Sequence, residues 1–127
     1  MKKIVLLTGL LSIAFLAFRL QNDTDDIIQS LKQGNASMIA HHFDNYIDLT
    51  LPGKEEIKNI GKNQAGITLK TFFDEYEVKG FVLSSQREAG TTMYMAGKLQ
   101  LKNKDYNITV LLKNKEGKHF ITSVRIN

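Results

Sequence analysis

From Asp23 onward the hydrophobic positions change their period along the chain, and each change marks an element. Ile27, Ile28 and Leu31 share one face of a first helix that Asp23 or Thr24 can cap. Gly34 ends this helix, and Asn35 can cap a second short helix at once, giving a helical hairpin with almost no loop. Helical pattern continues to Tyr46, so Ala36, Ile39, Ala40 and Phe43 form the expected buried face of the second helix. The stretch YIDLTL, residues 46–51, then alternates with period two. It sets Ile47, Leu49 and Leu51 on one side and Tyr46, Asp48 and Thr50 on the other, and Pro52-Gly53 stops the strand.

The next segment, KEEIKNIGKN, reads as a charged connection. Beyond it Ala65, Leu69, Phe72, Phe73 and Tyr76 fall at i, i+4, i+7, i+8 and i+11, the strongest helical stripe in the chain. Gly66 inside that stripe costs about 1 kcal/mol relative to alanine, which points to a neighbour packed close to the backbone. From Gly80 the period becomes two and predicts strands over 80–88, 91–102, 106–113 and 119–126. Turns at Ala89-Gly90, Asn103-Lys104-Asp105 and Lys115-Glu116-Gly117 are short enough for hairpins, so these strands form an antiparallel meander. Helices first and strands later give an α+β class, with the helices covering one face of a curved sheet.

The N-terminus has a different pattern. Lys2 and Lys3 precede fifteen mostly apolar residues, Ile4 to Phe18, and Arg19 closes the run. This tripartite order predicts a secretory signal peptide over residues 1–20, with the cleavage point open. An uncleaved anchor is the competing reading, but a bilayer span needs about 20 apolar residues. The expected product is a single domain, residues 23–127, exported to the periplasm or the extracellular space, with membrane contact only during export.

The chain of 127 residues has no cysteine, which excludes disulfides, thiolate metal sites and a lipid-anchored cysteine. Removing residues 1–20 also removes three of the 17 basic residues, leaving 14 against 13 acids. The remainder is polarised: seven basic and eleven acidic residues lie in 21–97, and seven basic and two acidic in 98–127. Lysines at hairpin turns and strand edges discourage edge-to-edge pairing. No aromatic residues interleave with them in sequence, so a nucleic-acid surface is not expected.

The order of two helices, a strand ending in Pro52-Gly53, an amphipathic helix opened by GKNQA and four antiparallel strands resembles the nuclear transport factor two-like fold, or cystatin-like cone. More narrowly, DIIQSLKQGNA (26–36), DLTLPGKE (48–55), LKTFFDEY (69–76) and GKHFITSVRI (117–126) are similar to small secreted bacterial proteins grouped as domain of unknown function family 4783. The resemblance implies export and the cone fold. It implies no activity, because the fold hosts isomerases, dehydratases, cyclases and pure binding modules alike.

Candidate chemistry is sparse. His41 and His42 are adjacent, and on a regular helix they diverge by about 100°, whereas a chelating pair needs i and i+4. A surface hydrogen bond from His41 to Asp44 is compatible with their spacing, and His119 lies far along the chain. In steroid-isomerase-like relatives the general base ends the first strand before a proline, and here that position is Leu51, which cannot take a proton. Asp48 is the one strand acid of interest, and it shares the polar side with Tyr46 and Thr50. Three Asn-x-Ser/Thr triplets, at Asn22, Asn35 and Asn107, match the glycosylation pattern, which is short and of low specificity. Phe72, Phe73, Tyr76, Phe81, Met93 and Met95 are the candidate pocket lining, against the alternative of an ordinary filled core. No catalytic, metal or cofactor site is assigned. The favoured function is a non-enzymatic exported domain that binds an apolar small molecule or a protein partner, compatible with a homodimer through the sheet. The alternative is an isomerase- or dehydratase-like enzyme using the cone cavity.

Overall fold

The computed structural model of the chain describes residues 23–127, so the expected signal peptide and its cleavage point lie outside the described residues. Helix α1 (Asp23–Lys32) carries Asp23, Asp25 and Asp26 in its first turn and Lys32 in its last, the arrangement that complements the helix dipole. It ends at Gly34 (φ 64°), where the Asn35 N–H reaches back to the Ser30 carbonyl and the Gly34 N–H to that of Leu31. This double closure needs a left-handed residue, and a Cβ at Gly34 would also lie 2.5 Å from the Val78 carbonyl oxygen. Asn35 then caps α2 (Ala36–Ala40) as expected, its Oδ1 accepting the Met38 N–H at 3.1 Å.

Helix α2 is shorter than the sequence pattern suggests. The chain turns at His41-His42, and β1 (Phe43–Thr50) begins at Phe43 rather than Tyr46. Ile121 of the last strand donates its N–H to the His42 carbonyl at 2.7 Å, which draws the backbone into strand pairing. Phe43 is buried as expected, but from a strand and not from a helical face. A second correction concerns the charged connection, which contains a strand, β2 (Ile57–Gly61), paired antiparallel to β1. It escapes the alternation rule because it is an edge strand with little buried surface. Asn59 takes φ 52° there, and its N–H is held by the Asp48 carboxylate at 2.9 Å.

Helix α3 (Lys62–Glu75) follows directly and buries Ala65, Leu69, Phe72 and Phe73. The close neighbour expected at Gly66 is Ala40 of α2, whose methyl would lie 3.2 Å from an added Cβ. Strands β3 (Gly80–Ala89), β4 (Thr92–Gln100), β5 (Asp105–Lys115) and β6 (Lys118–Ile126) form the expected meander. The six strands make one open sheet in the order β2-β1-β6-β5-β4-β3, in which β1 and β6 run parallel. All three helices pack on one side, α1 over β3 and β6 and α3 over β1 and β2. The core between the layers is a single cluster to which every strand from β1 to β6 except β2 contributes buried side chains.

Candidate functional site

The site is built where α3 ends. Tyr76, the residue that caps α3 at its C-terminus, is about half exposed, and its ring lies 4.7 Å from that of Phe72 one turn earlier. Phe72 in turn sits 6.4 Å from Tyr106 of β5, and the Lys104 Nζ stands 4.5 Å above the Tyr106 ring. These aromatic rings separate two clefts. One, of about 270 Å³, lies between α3 and the β1–β2 loop and includes Leu51, Pro52, Lys54, Thr68, Phe72 and Tyr76. The other, of about 300 Å³, lies between the end of α3 and the β4–β5 turn and includes Tyr76, Glu77, Leu101, Lys102, Lys104 and Tyr106. Glu75 and Tyr76 border both.

Of the six candidate lining residues, Phe72 and Tyr76 therefore come together at these clefts. Phe73, Phe81, Met93 and Met95 are buried in the core, with exposures of 6% or less. The ring of Phe81 lies against the backbone of Gly97, where an added Cβ would meet its carbons at 2.6 and 2.8 Å. Leu101, on the same alternating face as Met93 and Met95, and Tyr106, which the pattern does not single out, also belong to the site. The turn between Leu101 and Lys104 carries the signal, since a hairpin turn facing a helix end is a natural rim.

The histidines occupy two different places. His41 is exposed and borders a shallow hollow with Lys62, Gly66 and Lys70. His42 is half buried, and burial lowers its pKa from the ordinary histidine value, against the opposing pull of Asp26 and Asp23. Asp44 does not bond His41; it pairs with Lys115 at 2.7 Å, and this hydrogen bond holds its carboxyl below the usual range. His119, remote in sequence, closes on the first turn of α1. Its backbone N–H donates to Asp23, its Nδ1 lies 3.1 Å from the same carboxylate, and its Nε2 lies 3.4 Å from Glu88 of β3. Burial alone would raise the Asp23 pKa, but the hydrogen bonds from His119 outweigh it and leave the carboxyl below its ordinary value. Among the described residues no group of three or more histidine, aspartate or glutamate side chains is placed to hold a metal ion.

Residues 24–127 match the family model described as domain of unknown function (DUF4783). The chain belongs to that family. Solved DUF4783 proteins share its fold. The one from Bacteroides uniformis is 22% identical, with a TM-score of 0.77 over 84% of this chain and 96% of that one. The one from Bacteroides ovatus is 20% identical, with a TM-score of 0.71 over 80% and 90%. An NTF2-like protein of unknown function from Cytophaga hutchinsonii superposes with a TM-score of 0.56 at 14% identity, over 82% of this chain and 84% of that one. DUF4783 thus has the NTF2-like cone architecture expected from the order of elements. Among curated proteins none matches this chain.

Proposed function

We propose that this DUF4783 chain is an exported, non-enzymatic binding domain that takes a small apolar molecule in the clefts beside Tyr76. The observation that carries the reading is an exposed aromatic ring, tilted against a buried one, standing between two concave spaces. Ligand sites are mostly apolar hollows of roughly 300–1,000 Å³ with a few polar groups at the margin. The clefts share Glu75 and Tyr76, so one ligand can lie across both. Phe72, Leu51 and Pro52 supply an apolar wall, and Lys54 and Glu75 supply the polar margin. Leu51, which cannot take a proton, borders the cleft where a relative's acid would stand. Export rests on the basic and then apolar order of residues 2–18.

The test uses N-phenyl-1-naphthylamine, a neutral fluorescent probe, with the mature protein. Saturable binding is expected. Thr68→Trp, which fills the smaller cleft from the α3 surface, and Tyr76→Ala, which removes its wall, should each weaken binding by about tenfold, equivalent to about 1.4 kcal/mol. Undiminished binding in both variants, with unchanged unfolding midpoints, sinks the proposal. Export has its own check by fractionation: full-length chain retained in membranes after an alkaline wash contradicts it.

A further inference from the structure

The clefts leave the outer face of the sheet unused, and its register assembles a defined surface. Arg87 pairs with Tyr94, Tyr94 with Leu111 and Leu111 with Ser123, so these four form one row across β3 to β6 on the side away from the helices. Ala96 is the next position along β4 on the same side, and Lys98 the one after it. Lys113 follows Leu111 on β5, and Arg125 follows Ser123 on β6. Tyr94 is 38% exposed, Leu111 and Ala96 are half buried, and the four cations are exposed. Among the described residues Arg87, Lys98 and Lys113 have no carboxylate within 4.0 Å, and Arg125 has only Glu56 at 3.9 Å. The acids on this side lie toward its margins, Asp105 at the start of β5, Asp48 and Asp44 on β1 and Glu56 before β2; Asp48 accepts the Asn59 N–H, Asp44 is paired with Lys115 at 2.7 Å and Glu56 faces Arg125.

We propose that this face docks a protein partner whose surface is acidic around an apolar contact. Apolar side chains framed by cations match the anatomy of a docking patch, in which a desolvated centre supplies affinity and rim charges supply orientation and rate. The charges also choose among occupants. A second copy related by a two-fold axis sets the same patch against itself, cations facing cations, which disfavours a homodimer through the sheet. A single-stranded nucleic acid calls for successive adjacent stacking platforms, whereas the neighbours of Tyr94 in its row are Arg87 and Leu111 and the other rings on this side stand apart from it, Phe120 opposite Lys113 on β6 and Tyr46 on β1. An acidic, partly apolar protein segment satisfies both the centre and the frame.

Fluorescence anisotropy with a labelled synthetic peptide of mixed glutamate and leucine tests this on the mature protein. Wild type should bind it, and less tightly as salt rises. Lys98→Glu with Lys113→Glu should weaken binding by about tenfold or more, about 1.4 kcal/mol by the affinity relation. Tyr94→Ser should weaken it several-fold, while Tyr76→Ala at the clefts should leave it unchanged, which separates this face from the small-molecule site. If the charge-reversed protein does not fold by circular dichroism, Lys98→Gln with Lys113→Gln carries the same expectation. The proposal is overturned by any of four results: no binding to wild type, equal binding by the charge variants, equal binding of the peptide with lysine in place of glutamate, or tighter binding of a single-stranded oligonucleotide. A dimer of the wild type that the same charge variant abolishes overturns it as well.

Discussion

Gly97→Ala tests how the interior of the cone is filled. Gly97 sits in β4 opposite Leu83 of β3 and Ile108 of β5. A methyl there would lie 2.2 Å from the Val82 carbonyl oxygen and 2.6 and 2.8 Å from two carbons of the Phe81 ring. The ring can swing away, at the usual overpacking cost of about 1–3 kcal/mol. The carbonyl can move only with β3, and each ladder hydrogen bond lost in that movement costs about 1 kcal/mol. Together these give about 3 kcal/mol, a large share of the roughly 5–15 kcal/mol that holds a domain folded. For a domain of this size that corresponds to a fall in Tm of about 12–24 °C. The assay is urea and thermal unfolding followed by far-UV circular dichroism. Phe81→Leu in the same background should recover the ring's part of the cost, seen as a coupling of about 1 kcal/mol in the double-mutant cycle. A Gly97→Ala protein within about 0.5 kcal/mol of wild type would refute the packing argument. So would zero coupling to Phe81, because the ring would then not occupy the space over Gly97.

Three further outcomes follow from local features. Asp23 has a folded pKa below its ordinary value of 3.8, so its contribution is present above that pH and is lost as pH falls through the depressed value. Urea midpoints measured from neutral pH down into the acid range should therefore fall more steeply for wild type than for Asp23→Asn, and parallel curves would contradict the His119 contacts. Glu116 and Gly117 both have positive φ (55° and 84°) in the β5–β6 turn, so Glu116→Asn should stabilise by about 0.5–1 kcal/mol, read as a rise in the urea midpoint. Lys115→Ala removes an exposed partner of Asp44 and should cost less than about 1 kcal/mol, with the difference shrinking in salt.

The legible parts of the fold were those with a local chemical signature. Gly34 and Asn35 marked the α1–α2 junction because one needs a left-handed conformation and the other an acceptor side chain, and both do so in the structure. The meander was legible from its glycine-bearing turns and its alternation. Strand β2 was not, because an edge strand with mostly exposed residues is stabilised by pairing to β1 and leaves no alternating trace. The early start of β1 was hidden for a related reason: parallel pairing to β6 joins segments far apart in the chain, Phe43 with Ile121 and Thr50 with Arg125. A longer separation, 96 residues, hid the Asp23–His119 contact. At the candidate site the stripe of α3 identified Phe72 and Tyr76, but residue type could not divide them from Phe73, Phe81, Met93 and Met95. What divides them is position along the cone. Tyr76 lies where the helix runs out, while Met95 and Phe81 lie beneath packed layers.

That division bears on the enzymatic alternative. A proton-transfer enzyme built on this scaffold needs an ionisable group held beside the substrate. Around Gly97 the core offers Phe81, and among the described residues Ser30 is the one buried polar residue, with its hydroxyl donating to the Asp26 carbonyl. Asp48 faces the opposite side of the sheet, where it holds the Asn59 N–H. At the clefts beside Phe72 and Tyr76 the carboxylates are Glu75 and Glu77, and Glu77 is paired with Lys102 at 3.3 Å. Glu75 is exposed, and among the described residues it makes neither a side-chain hydrogen bond nor an ion pair that would orient it. Catalysis depends on such orientation, because a base displaced by an ångström loses much of its advantage. Apolar binding depends instead on a wall and a hollow. Phe72, Leu51 and Pro52 form the wall and Tyr76 divides the hollow, and it is on these features that the proposed binding of an apolar molecule rests.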